Sequence, residues 1–138
     1  MDSETLFGYK EVPHTADWEL EVWAPDLSSL LVQAAKGMYH LAGVKLSSQP
    51  RIQHRFQLIY HDPESLLIDF LSELIFLIEA ENLSFDQFEI KLNNGQLIAD
   101  LNGGKLALIS KEIKAATFHK LKIQETDQGL VANIVFDV

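Results

Sequence analysis

The chain has no cysteine and no long uninterrupted apolar run, and each absence excludes a class of protein. Without cysteine, a disulfide framework, a thiolate zinc site and a cysteine nucleophile are all impossible. The longest apolar stretch, residues 66–78, is interrupted by Asp69, Ser72 and Glu73, which excludes it as a membrane span. The first residues also lack the basic start and apolar run of a signal peptide. We therefore expect a soluble protein of the reducing cytoplasm, with no membrane association.

Basic residues are scarce, with 11 Lys and Arg against 20 Asp and Glu and a net charge of −9. Such a chain is poorly suited to general RNA or DNA binding, because neutralising phosphates supplies most non-specific affinity. The charges are unevenly spread: residues 62–89 hold eight acids and no Lys or Arg, whereas 105–122 hold five lysines and one glutamate. This pattern favours a basic protein partner. The alternative is an ordinary solubilising surface.

The length of 138 residues predicts one domain, spanning 1–138, and 47% hydrophobic residues are enough for its core. Residues 18–23 alternate apolar and acidic side chains, which is typical of a half-buried strand. Asp26 is placed to cap a first helix that ends at Gly43. After a second alternating segment, 52–60, Asp62 and Pro63 open a second helix that continues to about Ala80.

The second half of the chain has the pattern of β structure. Two hairpin signals, Asn93-Asn94-Gly95 and Asp127-Gln128-Gly129, each separate two strand-like segments. Those segments are 85–92 and 96–101 for the first signal, and 113–125 and 130–136 for the second. Gly103-Gly104 predicts a break between the hairpins. Two helices and about six strands, in runs rather than in alternation, predict an α+β fold with a largely antiparallel sheet covered on one face by the helices.

The final residues, Asp137 and Val138, carry two carboxylates, one on a side chain and one on the terminus. Both are hard oxygen donors of the kind that Ca²⁺, Mg²⁺ and Mn²⁺ prefer. If the fold brings Asp17 to the same place, three carboxylates converge there and require a cation. The alternative, an ordinary strand end with a solvated terminus, stays open on spacing alone.

Two acids interrupt the second helix, which is otherwise apolar around most of its circumference. Asp69 and Glu73 lie four residues apart and so share one face. Their placement predicts either a role beside a functional site or a narrow solvated stripe on a buried helix.

Motifs that would identify an enzyme directly are missing from the sequence. It contains no phosphate-binding glycine loop, nucleotide fingerprint or serine elbow. Its histidines are scattered, without the close spacing of a zinc-binding helix. They are His14, His40, His54, His61 and His119.

Four blocks follow one another along almost the whole chain. They are Tyr9-Lys10-Glu11-Val12-Pro13-His14-Thr15-Ala16-Asp17, Leu66-Leu67-Ile68-Asp69-Phe70-Leu71-Ser72-Glu73-Leu74, Ile113-Lys114-Ala115-Ala116-Thr117-Phe118-His119 and Val135-Phe136-Asp137-Val138. In this order and spacing the blocks resemble the archease family, and four ordered blocks are far more specific than any one of them.

The resemblance implies a non-catalytic protein cofactor in RNA ligation. Archeases assist the metal- and GTP-dependent ligase that joins RNA 3′-phosphate or 2′,3′-cyclic phosphate ends to 5′-hydroxyl ends in tRNA splicing and RNA repair. They promote guanylylation of that ligase and allow multiple turnovers. The resemblance also implies a divalent-cation site, for Ca²⁺, Mg²⁺ or Mn²⁺, formed by Asp17, Asp137 and the terminal carboxylate of Val138.

Further residues are matched to ligase activation by the same resemblance. Lys114 matches a functionally important family lysine, His14 and His119 match motif histidines, and Asp69 and Glu73 match the helix block. RNA contact by this chain is expected to be indirect or minor. Many relatives have Tyr at the position of Phe118, so a hydroxyl contact is missing there.

Two other functions stay open beside ligase activation. A metal-dependent phosphoesterase acting alone would use clustered aspartates and divalent ions, although no obvious base or nucleophile accompanies them. A chaperone-like adaptor with a structural cation would bind and stabilise partners without needing Lys114.

Overall fold

Two antiparallel sheets and two helices make up the part of the chain that the computed structural model describes, residues 6–13 and 17–138. In chain order the elements are β1 (Gly8–Glu11), β2 (Trp18–Ala24), α1 (Leu27–Ala42), β3 (Lys45–Leu46), β4 (Ile52–Ile59), α2 (Pro63–Glu81), β5 (Leu83–Asn93), β6 (Gln96–Leu108), β7 (Ala115–Thr117), β8 (Gln124–Thr126) and β9 (Gly129–Asp137). The predicted α+β class, with two main helices and antiparallel pairing, is confirmed.

The strands divide between two sheets, whereas the sequence predicted one. Strand β9 is central in the first sheet: β2 pairs along one edge, and β8 and β7 pair with its beginning and end along the other. Strand β1 completes this sheet beside β2. In the second sheet β6 is central, flanked by β4 and β5, and the short β3 pairs with its last residues.

Local sequence signals set both ends of each helix. The carboxylates of Asp26 and Asp62 each accept a main-chain N–H from three residues further on, at 2.8 Å, and so satisfy one of the unpaired donors of a helix start. At the other ends Gly43 and Asn82 adopt left-handed conformations, with φ of 66° and 54°. Their main-chain N–H groups close the last turn of each helix.

The helices form the core between the two sheets. Helix α1 packs on β1, β2 and β9 from the first sheet and on β5 from the second, while α2 packs on β4, β5 and β7. Phe70, Leu74, Leu20 and Phe136 are fully buried here, and burying each such side chain contributes about 1.5–3 kcal/mol. No helix in residues 6–13 and 17–138 combines the length and apolar character needed to cross a bilayer.

The predicted break at Gly103-Gly104 is wrong, because β6 runs through both glycines. The reason lies in how closely other main-chain segments approach. A Cβ at Gly103 would collide with the main chain of Ser84 and Phe85, and one at Gly104 would lie 2.8 Å from the carbonyl oxygen of Ser47. The pair therefore allows close strand packing rather than a turn.

The predicted segment 113–125 forms two short strands, β7 and β8, instead of one long strand. A turn separates them, closed by the main-chain N–H of Leu121 donating to the carbonyl of Phe118 at 3.0 Å. Lys120 in this turn has a φ of 59°. The main-chain N–H of Ile123 donates to Oε2 of Glu64 at 2.9 Å, so the turn is attached to the first turn of α2.

Leu74→Ala is expected to lower the free energy of unfolding by about 2–5 kcal/mol, because it leaves a cavity in the packed core. Urea denaturation followed by tryptophan fluorescence measures the loss. Phe76→Ala on the same helix is the control, since Phe76 is 56% exposed and its truncation should cost far less. Equal losses for the two variants would contradict this description of the core.

Asp62→Ala is expected to lower the melting temperature at pH 7, and the deficit should shrink in acid. The main-chain N–H of Ser65 holds the pKa of Asp62 below its usual value of 3.8. A lowered pKa stabilises the fold above the usual titration range, and this stabilisation is lost as the pH falls through the lowered pKa. Asp62→Asn keeps a capping oxygen and should depend less on pH. A deficit of Asp62→Ala that is constant from pH 7 to pH 2 would contradict this account.

Candidate functional site

The end of β9 brings Asp17 and Asp137 together. Strand β9 pairs with β2 so that Phe136 lies opposite Trp18. Continuing this register by one residue sets Asp137 opposite Asp17. Asp17 lies one residue before β2, and both aspartates are exposed. Two carboxylates from distant parts of the sequence therefore lie at the same end of the sheet.

Lys114 reaches the same sheet end from the other edge of β9. Strand β7 pairs with β9 so that Ala115 lies opposite Asp137. One residue earlier, the main-chain N–H of Lys114 donates to the carbonyl of Asp137 at 2.8 Å. The Lys114 side chain is exposed, while Val138 is half-buried and packs against the core. Four of the predicted site residues are thus neighbours: Asp17, Lys114, Asp137 and Val138.

The end of β9 passes from buried to exposed side chains within one residue. Ile134, Val135 and Phe136 are all buried, whereas Asp137 is exposed. Two side-chain hydrogen bonds hold the flanking strands in place. The Thr117 hydroxyl donates to the carbonyl of Val135 at 2.9 Å. On the other edge, Nδ2 of Asn133 donates to Oε2 of Glu19 at 2.7 Å.

The donors at this end suit a hard cation, because carboxylate oxygens are preferred by Ca²⁺, Mg²⁺ and Mn²⁺. Within residues 6–13 and 17–138 no group of three or more His, Cys, Asp or Glu residues has the arrangement of a metal site. The side chains that form this end accordingly supply two carboxylates, those of Asp17 and Asp137.

His119, one of the two predicted histidines, does not join this carboxylate pair. His119 is exposed, lies two residues beyond β7, and donates its main-chain N–H to the Thr117 hydroxyl at 3.3 Å. Lys114 precedes β7, so the two residues flank opposite ends of this strand. His14 lies outside the described residues.

The predicted helix acids line a solvent-facing stripe of α2. Asp69 is exposed, Glu73 is half-buried, and Phe76 continues the stripe at helical spacing. This position corresponds to the solvated stripe that the sequence allowed. Any function of these side chains would therefore be directed outward, toward solvent or a bound partner.

A concavity of about 580 Å³ lies on the outer face of the four-stranded sheet and was not predicted. Both arginines of the chain lie on this face. Nε of Arg55 donates to Asp100 at 2.6 Å, and the Arg51 guanidinium donates to both carboxylate oxygens of Asp86 at 2.6 and 3.1 Å. These hydrogen bonds hold the pKa of each aspartate below its usual range. The face is a polar surface whose charges neutralise one another. Only the strand register, which the sequence does not state, could have revealed these pairs.

Comparison with known proteins identifies relatives along nearly the whole chain. Residues 9–138 match the archease protein family. A protein archease from Methanosarcina barkeri is 33% identical over 94% of this chain and 95% of its own length. A protein archease from Methanopyrus kandleri is 30% identical over 94% of this chain and 99% of its own length.

Solved structures share the fold. An archease from Thermotoga maritima, described as a possible chaperone, superposes with a TM-score of 0.72 at 24% identity, covering 94% of this chain and 96% of its own. Protein 1598 of Methanobacterium thermoautotrophicum has a TM-score of 0.73 at 25% identity, with coverages of 95% and 99%. With the family match over 9–138 and the relatives at 30–33% identity, these likenesses establish that the chain belongs to the archease family.

Proposed function

We propose that this protein is a non-catalytic activator of the GTP-dependent RNA ligase that joins 3′-phosphate or 2′,3′-cyclic phosphate ends to 5′-hydroxyl ends in tRNA splicing and RNA repair. The observation that carries the proposal is the meeting of Asp17, Lys114, Asp137 and Val138 at one end of the first sheet, in a member of the archease family. Activation consists of promoting guanylylation of the ligase, so that it turns over repeatedly.

The carboxylates at this sheet end are the proposed ligands of a divalent cation, Ca²⁺, Mg²⁺ or Mn²⁺. Asp17 and Asp137 contribute their side chains, and Val138 contributes its terminal carboxylate. The position of the two aspartates at one end of the sheet supports this assignment, because carboxylate oxygens from neighbouring segments can bind one hard cation. When bound, such a cation supplies positive charge that neutralises phosphate oxygens.

Lys114 is the proposed contact with the phosphates of the nucleotide. Guanylyl transfer requires the triphosphate charge to be neutralised and the leaving pyrophosphate to be oriented. A lysine ammonium acts as a compact point charge toward phosphate oxygens. The hydrogen bond from the Lys114 main chain to Asp137 fixes the origin of this side chain beside the carboxylates.

The acidic side of α2 is the proposed steering surface for the ligase. A ligase that binds RNA carries a basic surface, and opposite charges accelerate the encounter. Asp69 and Glu73 would contact the partner from this stripe, and His14 and His119 would do so from their motif segments. The same acids repel the RNA backbone, so contact of this chain with RNA would be indirect or minor.

Asp17→Ala and Asp137→Ala are each expected to weaken divalent-cation binding by about tenfold or more, since disturbing even an indirect partner of a metal ligand costs that much. Calorimetric titration with Ca²⁺ and Mn²⁺ measures the affinity without any ligase. Asp127→Ala, in the turn between β8 and β9, is the matched control and should bind as the wild type does. Unchanged affinity in both site variants would remove the cation site.

A short Gly-Ser extension after Val138 tests the terminal carboxylate in the same titration. The extension converts that carboxylate into an amide, which is neutral and a weaker donor. Affinity equal to that of the unextended chain would exclude Val138 as a ligand while leaving the two aspartates in place.

Lys114→Ala is expected to fold normally and to lose stimulation of the ligase. The assay joins 3′-phosphate and 5′-hydroxyl RNA ends with limiting ligase and counts turnovers with and without this protein. Wild type should convert a single turnover into many, and Lys114→Ala and Asp137→Ala should not. Lys111→Ala, at another exposed lysine of the same segment, is the control. Full stimulation by Lys114→Ala would favour the chaperone-like adaptor. If the Lys114→Ala variant is unfolded instead, Lys114 has a structural role.

A further inference from the structure

A separate cleft of about 320 Å³ opens between α1 and the edge strands of the two sheets, β1 and β5. Its volume is within the range of small-molecule sites, which begins near ~300 Å³. Aromatic side chains from three elements line it, together with one lysine and one aspartate. This mixture of apolar walls and a few charged groups is typical of a ligand pocket.

The helix wall of the cleft is built from Lys36, Tyr39 and His40. These residues are spaced i, i+3 and i+4 and therefore share one face of α1. Gly37 lets β2 and β1 approach this helix closely, because a Cβ there would lie 2.5 Å from Cδ2 of Leu20 and 3.0 Å from Cδ1 of Tyr9. The Tyr9 ring consequently lies 5.9 Å from the His40 ring, centroid to centroid. Tyr9 and His40 together flank one side of the opening.

The strand wall presents a carboxylate that the backbone positions. Strand β5 pairs Phe85 with Gly103 and Gln87 with Asn102, so Asp86 is the extra residue of a β-bulge. Bulges redirect a side chain and are frequent beside functional sites. The Arg51 guanidinium holds both oxygens of Asp86, and each oxygen keeps a further lone pair. The Asp86 carboxylate is therefore fixed in place and still able to accept hydrogen bonds from a ligand.

The hydroxyl of Tyr39 is a buried hydrogen-bond donor without an acceptor among the described residues. The residue is 8% exposed, and within residues 6–13 and 17–138 its hydroxyl has no partner at hydrogen-bonding geometry. Burial raises the pKa of this hydroxyl, and the main chain of Phe85, which is itself part of the cleft wall, opposes the rise. A buried hydroxyl without a partner is costly to maintain, and a ligand in the adjoining cleft would satisfy it once the Tyr39 side chain turns toward the cleft.

We propose that this cleft binds a purine nucleotide, with its base against the rings of Tyr9 and Phe88 and its phosphate on Lys36. Each part of such a ligand has a counterpart. Aromatic side chains stack on bases, the Asp86 carboxylate accepts from the amino group of the base, and the Lys36 ammonium meets phosphate oxygens.

Other ligand classes use only part of the cleft. An apolar molecule leaves Lys36 and Asp86 without function, and a simple anion makes no use of the aromatic rings. A purine nucleotide combines a flat ring, an amine donor and an anionic group within one small molecule.

The cleft is distinct from the carboxylates at the end of β9. Tyr9 pairs with Val22, five residues along the strand from Asp17, or about 17 Å at ~3.4 Å per residue. The proposal therefore stands independently of cation binding and of ligase activation. The shared chemistry is that of a purine nucleotide, whether free in solution or at the end of an RNA chain.

Titration of the full chain with GMP, AMP and inorganic phosphate, followed by amide chemical shifts and calorimetry, tests the proposal. At least one nucleotide should bind and shift the amides around Lys36, Tyr39 and Asp86, and phosphate alone should not. Lys36→Ala should weaken nucleotide binding about tenfold, as expected for loss of a charge-assisted contact. Lys111→Ala, outside the cleft, should leave the affinity unchanged.

Tyr39→Phe separates a ligand contact from a structural role. Because the hydroxyl has no partner in the free protein, its removal should leave the melting temperature unchanged or raised. Nucleotide affinity should nevertheless fall several-fold. An unchanged affinity in both Lys36→Ala and Tyr39→Phe would overturn the proposal, and so would the absence of binding at millimolar GMP and AMP. Phosphate binding as tight as nucleotide binding would also overturn it, by leaving an anion contact only.

A purine trinucleotide with a 3′-phosphate distinguishes the two sources of the ligand. Tighter binding of the trinucleotide than of GMP and AMP assigns the cleft to an RNA end, and the reverse assigns it to a free nucleotide. Either order supports the proposal. The ligation assay with Lys36→Ala reports separately on ligase activation, so failure of one proposal does not entail failure of the other.

Discussion

The pairing of β2 with β9 brings an early segment of the chain beside a late one, and the arrangement of the candidate site depends on it. Its inward side chains, among them Leu20, Val22 and Ile134, are fully buried. Its outward side is held by the hydrogen bond between Glu19 and Asn133, which are 114 residues apart in sequence. The entropy lost in closing so long a loop grows only slowly with its length, so a well-packed strand pair can offset it. Asp17, Asp137 and Lys114 become neighbours only through this pairing and that of β7.

Local sequence signals made the helices predictable. The pairing between distant strands could not be predicted in this way. Asp26 and Asp62 each specify a helix start through one carboxylate and one N–H group, an interaction confined to four residues. The division into two sheets depends instead on which strands choose which partners. Gly103-Gly104 shows the difference, because glycine permits both a turn and a close strand contact, and only the neighbouring strands decide between them.

The candidate site likewise has residues that the sequence singled out and an arrangement that only the fold reveals. Asp137 and Val138 stand out in the sequence through their chemistry, and the register of β9 supplies their setting beside Asp17 and Lys114. The cleft between α1 and β5 had no comparable signal. Lys36 and His40 are ordinary residues of an amphipathic helix, and Asp86 acquires its position from a bulge and from Arg51. Neither of these two determinants is encoded within a few residues of Asp86.

The hydrogen bond from Ile123 to Glu64 couples two surfaces that would otherwise be independent. It ties the turn that carries Phe118, His119 and Lys120 to the first turn of the acidic helix. A partner that engages the helix therefore meets a turn whose conformational freedom is already reduced, and ordering it costs less entropy. Side-chain truncations on the helix and on the turn should then have non-additive effects on the affinity for that partner. In this sense α2 and the turn would act as one epitope for the proposed partner, although 59 residues separate Glu64 from Ile123 in the sequence.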